Sequence, residues 1–309
     1  MKTKIWVALL AVYIVWGSTY LGIRFAVETI PPFLHAGVRF LISGALLFIW
    51  RRLAGDPAPS LKQWKSAFVV GSLLLVGGNG LISLAETSVP SGVAALLVAT
   101  IPMFMVLVEA LRPDGVRPTP IQVLGLLVGF GGVALLIGPA EFGGVREFDL
   151  LSGSTALLAA FLWSLGSIYS RNADQPKSTL LFTGMEMLLG SLGLFIVSGM
   201  RGEFSQFHLA AISTRSMLGL LYLISFGSLV GFTSYAYLLR NAPVSLISTY
   251  PYVNPIVAVL LGSIFAQEKL DARIIFAALI IVGSVIMVNL AKKAAPRLAT
   301  EEVTQTMVE

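Results

Sequence analysis

Long apolar runs dominate the chain, and short polar segments separate them. A helix needs about 20 apolar residues to cross the hydrocarbon core of a bilayer. Eight runs of roughly that length contain no charged residue, namely 5–23, 66–85, 87–108, 118–140, 150–170, 216–239, 241–267 and 274–291. Two more, 31–50 and 178–200, are as apolar but hold one charge each, Arg39 and Glu186. The pattern predicts an all-α integral membrane protein with ten transmembrane helices.

Composition supports lipid as the solvent and excludes several kinds of chemistry. Hydrophobic residues make up 56% of the chain and charged residues 12%, whereas soluble domains carry about 25% charged residues. The short loops leave no separate domain for nucleotides or nucleic acids. The chain has no cysteine, and its two histidines form no motif with other ligands or nucleophiles. We therefore expect no catalytic residue, no metal site, no cofactor and no nucleic-acid partner, which argues against an enzyme.

The distribution of basic residues predicts the orientation. The first apolar run follows Lys2 and Lys4, but it is too long for a signal peptide and lacks a small-residue cleavage site, so we interpret it as a retained helix. Fourteen of the 21 Lys and Arg residues then fall on the side of the N-terminus. Because cytoplasmic loops collect basic residues, both termini should be cytoplasmic. Residues 293–309 should form a disordered polar tail.

Several distinctive residues of the first half recur in the second half at a nearly constant displacement along the chain. Trp16, Arg24 and Arg39 correspond to Trp163, Arg171 and Glu186 at a displacement of 147, and Pro90 and Pro102 correspond to Pro243 and Pro255 at 153. The repeats would be 1–140 and 150–292. Five spans is an odd number, so the second repeat enters the membrane from the opposite side. Inverted repeats are a recurrent transporter architecture, which predicts a central cavity with alternating access.

Several short motifs carry a family resemblance. They are residues 16–20 (WGSTY), 37–40 (GVRF), 78–80 (GNG), 89–96 (VPSGVAAL) and 252–255 (YVNP). Together they resemble the EamA branch of the drug/metabolite transporter superfamily, over residues 5 to 292. The resemblance implies an inner-membrane exporter of small metabolites, amino acids or drugs, with helices around a central cavity. The acidic residue that this family usually has after span nine is present here as Glu268, thirteen residues after Pro255. The corresponding acid of the first half would be Glu109, but it lies only seven residues after Pro102, so the two positions are not equivalent.

One group of predicted substrate contacts lies in spans one, three and six. Trp16 and Trp163 fall near mid-membrane, although tryptophan prefers the interface. Their rings could stack on aromatic or cationic ligands, and Thr19 belongs to the same motif as Trp16. Asn79 lies among glycines and could face the substrate or bond to a neighbouring helix. Packing in the helix core is the alternative for both tryptophans.

Prolines mark the predicted gating helices. A proline inside a helix leaves the carbonyl four residues earlier without its usual donor. Pro102 should do this in span four, and Pro251 and Pro255 should disturb two turns of span nine. Irregular backbone at membrane depth is tolerated where it is buried or lines water. We therefore predict that Tyr250, Tyr252 and Asn254 contact the substrate, with a static packing kink as the alternative.

Arg39 and Glu186 are the charged residues well inside spans, and such residues are functional candidates. They could compensate each other as a buried pair. Alternatively, Glu186 could carry a coupling proton while Arg39 anchors an anionic group of the substrate. A third possibility for Arg39 and Glu186 is a static structural role, in which they only hold neighbouring helices together.

The sequence thus favours an inner-membrane exporter of small organic molecules that works as a monomer or homodimer in the lipid bilayer. Proton antiport and facilitated diffusion both remain open. The alternatives from other classes are a membrane-embedded enzyme acting on a lipid-linked substrate and a passive channel.

Overall fold

A computed structural model describes residues 2–112, 115, 117–137, 150–242, 246 and 249–294. Helices make up almost all of the described part, and no strand occurs in it. The described residues form ten long helices, α1 Lys2–Ala26, α2 Pro32–Leu53, α3 Leu61–Ala85, α4 Ser91–Leu111, α5 Pro120–Ile137, α6 Leu150–Asn172, α7 Thr179–Met200, α8 Thr214–Leu238, α9 Tyr250–Phe265 and α10 Ala272–Ala294. The short helical segments Glu203–Gln206 and Leu209–Ala211 lie between α7 and α8.

Nine of these helices are long and apolar enough to cross a membrane, within the described ranges. The exception is α9, whose 16 residues span only about 24 Å at 1.5 Å per residue. It is shorter than the predicted run 241–267, part of which lies outside the described residues. The fold class predicted from the apolar runs is confirmed. The junction at 138–149 and the tail from residue 295 onward also lie outside the described residues.

The third helix of each half contains a π-helical segment, which the apolar pattern did not predict. These segments are Ser72–Gly80 in α3 and Leu223–Val230 in α8. A π-turn widens the helix, because each N–H bonds to the carbonyl five residues earlier, and it is frequent at functional sites. Both segments therefore present irregular backbone at corresponding positions of the two repeats.

Contacts between the helices follow the repeat. The second helices of the two halves, α2 and α7, pack on each other, as do the fifth helices, α5 and α10. The first helix of each half packs on the other half's third and fourth helices: α1 contacts α8 and α9, and α6 contacts α3 and α4. Each half therefore supplies equivalent surfaces to the other.

Small residues allow the closest of these crossings. A Cβ added at Gly184 of α7 would lie 2.9 Å from the backbone nitrogen of Phe48 in α2, and one at Gly44 would lie 2.7 Å from the Cβ of Met187. A Cβ at Gly71 of α3 would lie 2.5 Å from the carbonyl oxygen of Glu186. In lipid, where apolar burial does not drive helices together, such close packing stabilises the bundle.

The three prolines predicted to break helices have different local effects. The first helical segment of α4 ends at Val98, and the next begins at Ile101, so Pro102 follows a real interruption. Pro255 lies inside α9. Pro251 differs from the prediction, because it lies in the first turn of α9, where the missing N–H would have no intrahelical partner in any case.

Candidate transport site

Trp16 lies at the junction of α1, α8 and α9. Its indole N–H donates to the carbonyl of Gly227 in the α8 π-segment, at 3.3 Å. Its ring centroid lies 5.3, 5.1 and 5.3 Å from the rings of Phe232, Tyr235 and Tyr250. The half-buried indole is therefore both hydrogen-bonded and surrounded by aromatic faces that could bind a planar or cationic group.

A glycine makes the contact between Trp16 and α8 possible. A Cβ added at Gly231, immediately after the π-segment, would overlap Trp16 Nε1. The other half repeats this arrangement. A Cβ at Gly78 in the α3 π-segment would lie 2.7 Å from Cε3 of Trp163. The two tryptophans thus pack on glycines of corresponding π-helical regions in opposite halves.

The two tryptophan sites differ in their polar contacts. No hydrogen bond from the Trp163 indole occurs among the described residues, although its ring is half-buried. The side-chain amide of Asn79 donates to the Leu74 carbonyl of its own π-segment at 3.4 Å. Leu74 precedes Gly227 by 153 residues, the displacement of the later repeat pairs. The carbonyl groups at these corresponding positions therefore accept from different donors: that of Gly227 accepts from the Trp16 indole, and that of Leu74 accepts from the Asn79 amide.

Arg39 lies next to the Trp16 site and is 4% exposed. Its Nε donates to Ser228 Oγ at 3.0 Å, and its Nη2 would lie 3.2 Å from a Cβ added at Gly227. The methyl group of Thr19 would lie 3.0 Å from the same Cβ, while the Thr19 hydroxyl donates to the Trp16 carbonyl at 2.6 Å. The structure thus brings Trp16, Thr19 and Arg39 together around Gly227.

Glu186 is separate from this group. It is half-buried on α7, and it forms no ion pair with Arg39 among the described residues, although α2 and α7 pack along their lengths. The predicted alternative of a direct ion pair between Arg39 and Glu186 is therefore not what the structure shows, because the Arg39 side chain points toward α8 and donates to Ser228. Other roles of Glu186 stay as predictions.

The predicted residues of α9 face two directions. Tyr250 packs against Trp16, whereas Tyr252 packs against a core cluster that α4, α5 and α10 form around Met103 and Val285. Asn254 is 8% exposed, and with its amide oriented to satisfy both groups it donates to the carbonyls of Tyr13 and Tyr250 at 3.3 and 3.2 Å. Asn254 thus joins α9 to α1, and Tyr252 lies away from the Trp16 site.

Carboxylates join the helices at one end of the bundle, which we call the capped end. The carboxylate of Glu268, after α9, accepts the N–H groups of Ser91 and Gly92 in the first turn of α4, at 2.6 and 3.1 Å. The carboxylate of Glu203, after α7, accepts the N–H of Leu34 in α2 at 2.9 Å. A negative charge at a helix N-terminus satisfies free N–H groups and complements the helix dipole.

Arginines add further links at the capped end. Arg24 donates to the carbonyls of Glu86 and Thr87 at 2.7 and 3.2 Å. Arg215 pairs with Glu28 at 3.3 Å and donates to the carbonyl of Phe265 at 3.2 Å. These bonds join α1, α3, α8 and α9, so this end is closed by polar contacts.

The opposite end carries a cleft of about 370 Å³ between α3, α4 and α6. Polar side chains in its lining include Ser66, Arg112, Asn172 and Asp174. The two ends of the bundle thus differ: one is closed by hydrogen bonds, and the other has a cleft lined by both polar and apolar side chains.

The structure gives Glu86 an unusual place that the apolar pattern did not predict. The residue follows α3 directly and is completely buried. Both carboxylate oxygens lack a hydrogen-bond partner. No local sequence signal indicated this, because the apolar run simply ends there.

The packing of ten apolar helices in two related sets of five defines a polytopic membrane protein with an architecture that recurs among transporters. A model of the EamA-like transporter family matches residues 3–138 and 151–290. The chain belongs to this family.

Relatives agree with this assignment. The chain is 37% identical to the uncharacterized inner membrane transporter YedA of Escherichia coli K12, over 94% of this chain and 92% of that protein. It is 29% identical to the uncharacterized transporter YvbV of Bacillus subtilis, over 95% and 94%. A solved crystal structure shares the fold, with a TM-score of 0.61 at 22% identity, covering 96% of this chain and 100% of that one. The family and these names indicate a membrane transporter rather than an enzyme.

Proposed function

We propose that this transporter exports small organic molecules across the cell inner membrane by alternating access. The observation that carries the proposal is the mirrored contact of Trp16 with Gly231 and of Trp163 with Gly78. Each contact joins the first helix of one half to the π-helical region of the other half. An exchange of conformation between the halves would convert one contact into the other.

The difference between the two contacts supports this mechanism. The Trp16 indole donates a hydrogen bond to a carbonyl of the α8 π-segment and packs against three aromatic rings. The Trp163 indole makes no such hydrogen bond within the described residues. In an inverted-repeat carrier the halves adopt different conformations in each state and exchange them on switching.

The chemistry around Gly227 favours a substrate with both a ring or cation and an anionic group. Aromatic faces of Trp16 and Tyr250 suit the first, and the guanidinium of Arg39 suits a carboxylate, since it has donors beyond the one bonded to Ser228. Amino acids and similar zwitterions combine these groups. Thr19 adds a hydroxyl beside the same glycine.

The orientation follows from the basic residues, with both termini cytoplasmic. The capped end would then face away from the cytoplasm, and the cleft between α3, α4 and α6 would face the cytoplasm. This state would be open inward and closed outward, ready to load a cytoplasmic substrate for export. The chain would act as a monomer or homodimer.

Counterflow in proteoliposomes loaded with a panel of amino acids and cationic aromatic compounds tests the carrier function. Trapped unlabelled substrate should drive transient accumulation of the labelled form. Trp16→Ala and Trp163→Ala should each reduce this flux, while Trp6→Ala should not, because Trp6 on α1 is 54% exposed at the lipid-facing surface. Flux without counterflow would indicate a channel, and chemical conversion of the substrate would indicate an enzyme.

A further inference from the structure

Glu86 is a buried acid without a neutralising contact. It is 0% exposed, and neither oxygen of its carboxylate has a hydrogen-bond partner. The neighbouring residues Ala85 and Val89 belong to an apolar core cluster. An ionised carboxylate in such a place would cost several kcal/mol, and such groups usually neutralise by binding a proton.

The charged residues around Glu86 satisfy other groups. Arg24 of α1 donates to the backbone carbonyl of Glu86 rather than to its carboxylate, at 2.7 Å. Arg39 of α2 bonds to Ser228. Glu268, after α9, holds the first turn of α4 with both of its oxygens. The hydroxyl group of Tyr20 on α1 also lies within electrostatic range.

These groups act on Glu86 with opposite signs. Burial, and next the negative charge of Glu268, raises the pKa of Glu86 well above its ordinary value, while Arg24 and Arg39 act to lower it. The geometry leads to the same conclusion, since the buried acid has no donor to stabilise a negative charge.

We propose that Glu86 is a proton-binding site that holds its proton while the capped end is closed and releases it when that end opens. Glu86 lies only five residues before Ser91, where the Glu268 cap begins. Separation of the cap would admit water to the Glu86 carboxyl group. The acid would then give its proton to water and become a carboxylate, and closure would require a proton to return. Both the release and the return of the proton occur on the side that the capped end faces, so no proton crosses the membrane at this site. The consequence for transport, which rests on the proposed function, is that a lower pH on that side would favour the closed state.

Infrared spectroscopy of the reconstituted protein tests proton binding without reference to transport. The carbonyl stretching band of a protonated carboxylic acid should persist at neutral pH and disappear as the pH rises through the raised pKa of Glu86. Glu86→Gln should remove this component. Glu28→Gln, which makes the same change at an exposed carboxylate of the same end, should retain it. Glu268→Gln should weaken the component at neutral pH, because it removes a negative charge that favours the proton on Glu86 and also loosens the cap.

A band that survives Glu86→Gln but disappears in Glu186→Gln would overturn the assignment in favour of the α7 carboxylate. A band unaffected by Glu268→Gln would overturn the link to opening.

Transport then tests the pH dependence of opening. Counterflow by the unmodified chain should slow as the pH on the side of the capped end falls through the raised pKa of Glu86, whereas counterflow by Glu86→Gln, which has no proton to exchange at this position, should lose this dependence. An unchanged pH dependence in Glu86→Gln would refute the role of Glu86 in opening. Absence of counterflow from the unmodified chain would instead refute the carrier function, and the infrared result for proton binding at Glu86 would still stand.

Discussion

Replacing Glu268 with Gln should loosen the capped end. The two carboxylate oxygens accept the N–H groups of Ser91 and Gly92 at 2.6 and 3.1 Å. A glutamine side chain keeps one neutral acceptor, so one N–H loses its partner and the helix dipole of α4 loses a negative charge. Loss of a helix cap costs about 0.5–2 kcal/mol, and loss of the favourable dipole interaction costs about 0.3–1 kcal/mol.

The combined loss is roughly 1–3 kcal/mol, with the cap and dipole terms taken together. If the cap exists only when this end is closed, the open population should rise by roughly 5- to 140-fold, since about 1.4 kcal/mol corresponds to a factor of ten. The chain contains no cysteine, so one introduced thiol can report this change. Val89→Cys places it at a site that is 0% exposed, just before α4.

The assay is the rate at which a water-soluble thiol reagent labels Val89→Cys in proteoliposomes. The rate should rise by the same factor in Glu268→Gln. Glu28→Gln is the matched control, because the pair of Glu28 with Arg215 is partly exposed and such pairs contribute about 0–1 kcal/mol. A lower thermal stability of Glu268→Gln with an unchanged labelling rate would refute the reasoning, because the cap would then be a static contact.

Three further predictions concern orientation, the tryptophan site and helix packing. Thiols introduced at Leu53 and Leu209, which are 84% and 73% exposed, should differ in intact cells: an impermeant reagent added outside should label position 209 and leave position 53 unlabelled, and the reverse result would contradict the proposed orientation. Trp16→Phe should lower stability by about 1 kcal/mol, as measured by thermal unfolding in detergent, because its N–H bond to the α8 carbonyl is lost; an unchanged midpoint would argue against that bond. Gly71→Ala should destabilise by about 1–3 kcal/mol through backbone overlap with α7, whereas Gly283→Ala, where an added Cβ meets nothing within 4 Å, should be neutral or up to about 1 kcal/mol more stable; equal effects of the two substitutions in the same assay would refute the crossing argument.

The apolar runs predicted most of the fold because the cost of exposing backbone to lipid is local. Each membrane helix must satisfy its own backbone hydrogen bonds, so about 20 consecutive apolar residues suffice to indicate a span. The weakest agreement is at α9, where the apolar run 241–267 exceeds the helix Tyr250–Phe265. Pro251 explains part of this difference, since it suits a helix start better than an interior.

The candidate site was predictable only in part. The displaced tryptophans indicated corresponding positions in two repeats, and Arg39 was recognisable as a charge inside a span. Their partners were not recognisable, because Gly227 lies 211 residues from Trp16 in the chain. Which residues meet across such a separation depends on how the helices rotate and cross.

The sequence by itself thus determined the membrane class, the ten apolar helices, the repeat and the family motifs, all of which follow from composition and spacing. Tertiary structure decided that Arg39 bonds to Ser228 rather than to Glu186, that Tyr250 and Tyr252 face different neighbours, and that Glu86 is buried without a partner. The physical reason is that burial and hydrogen bonding at these positions depend on side chains from other helices. A helix carries its own backbone pattern in its sequence, but its neighbours are fixed only when the whole bundle packs.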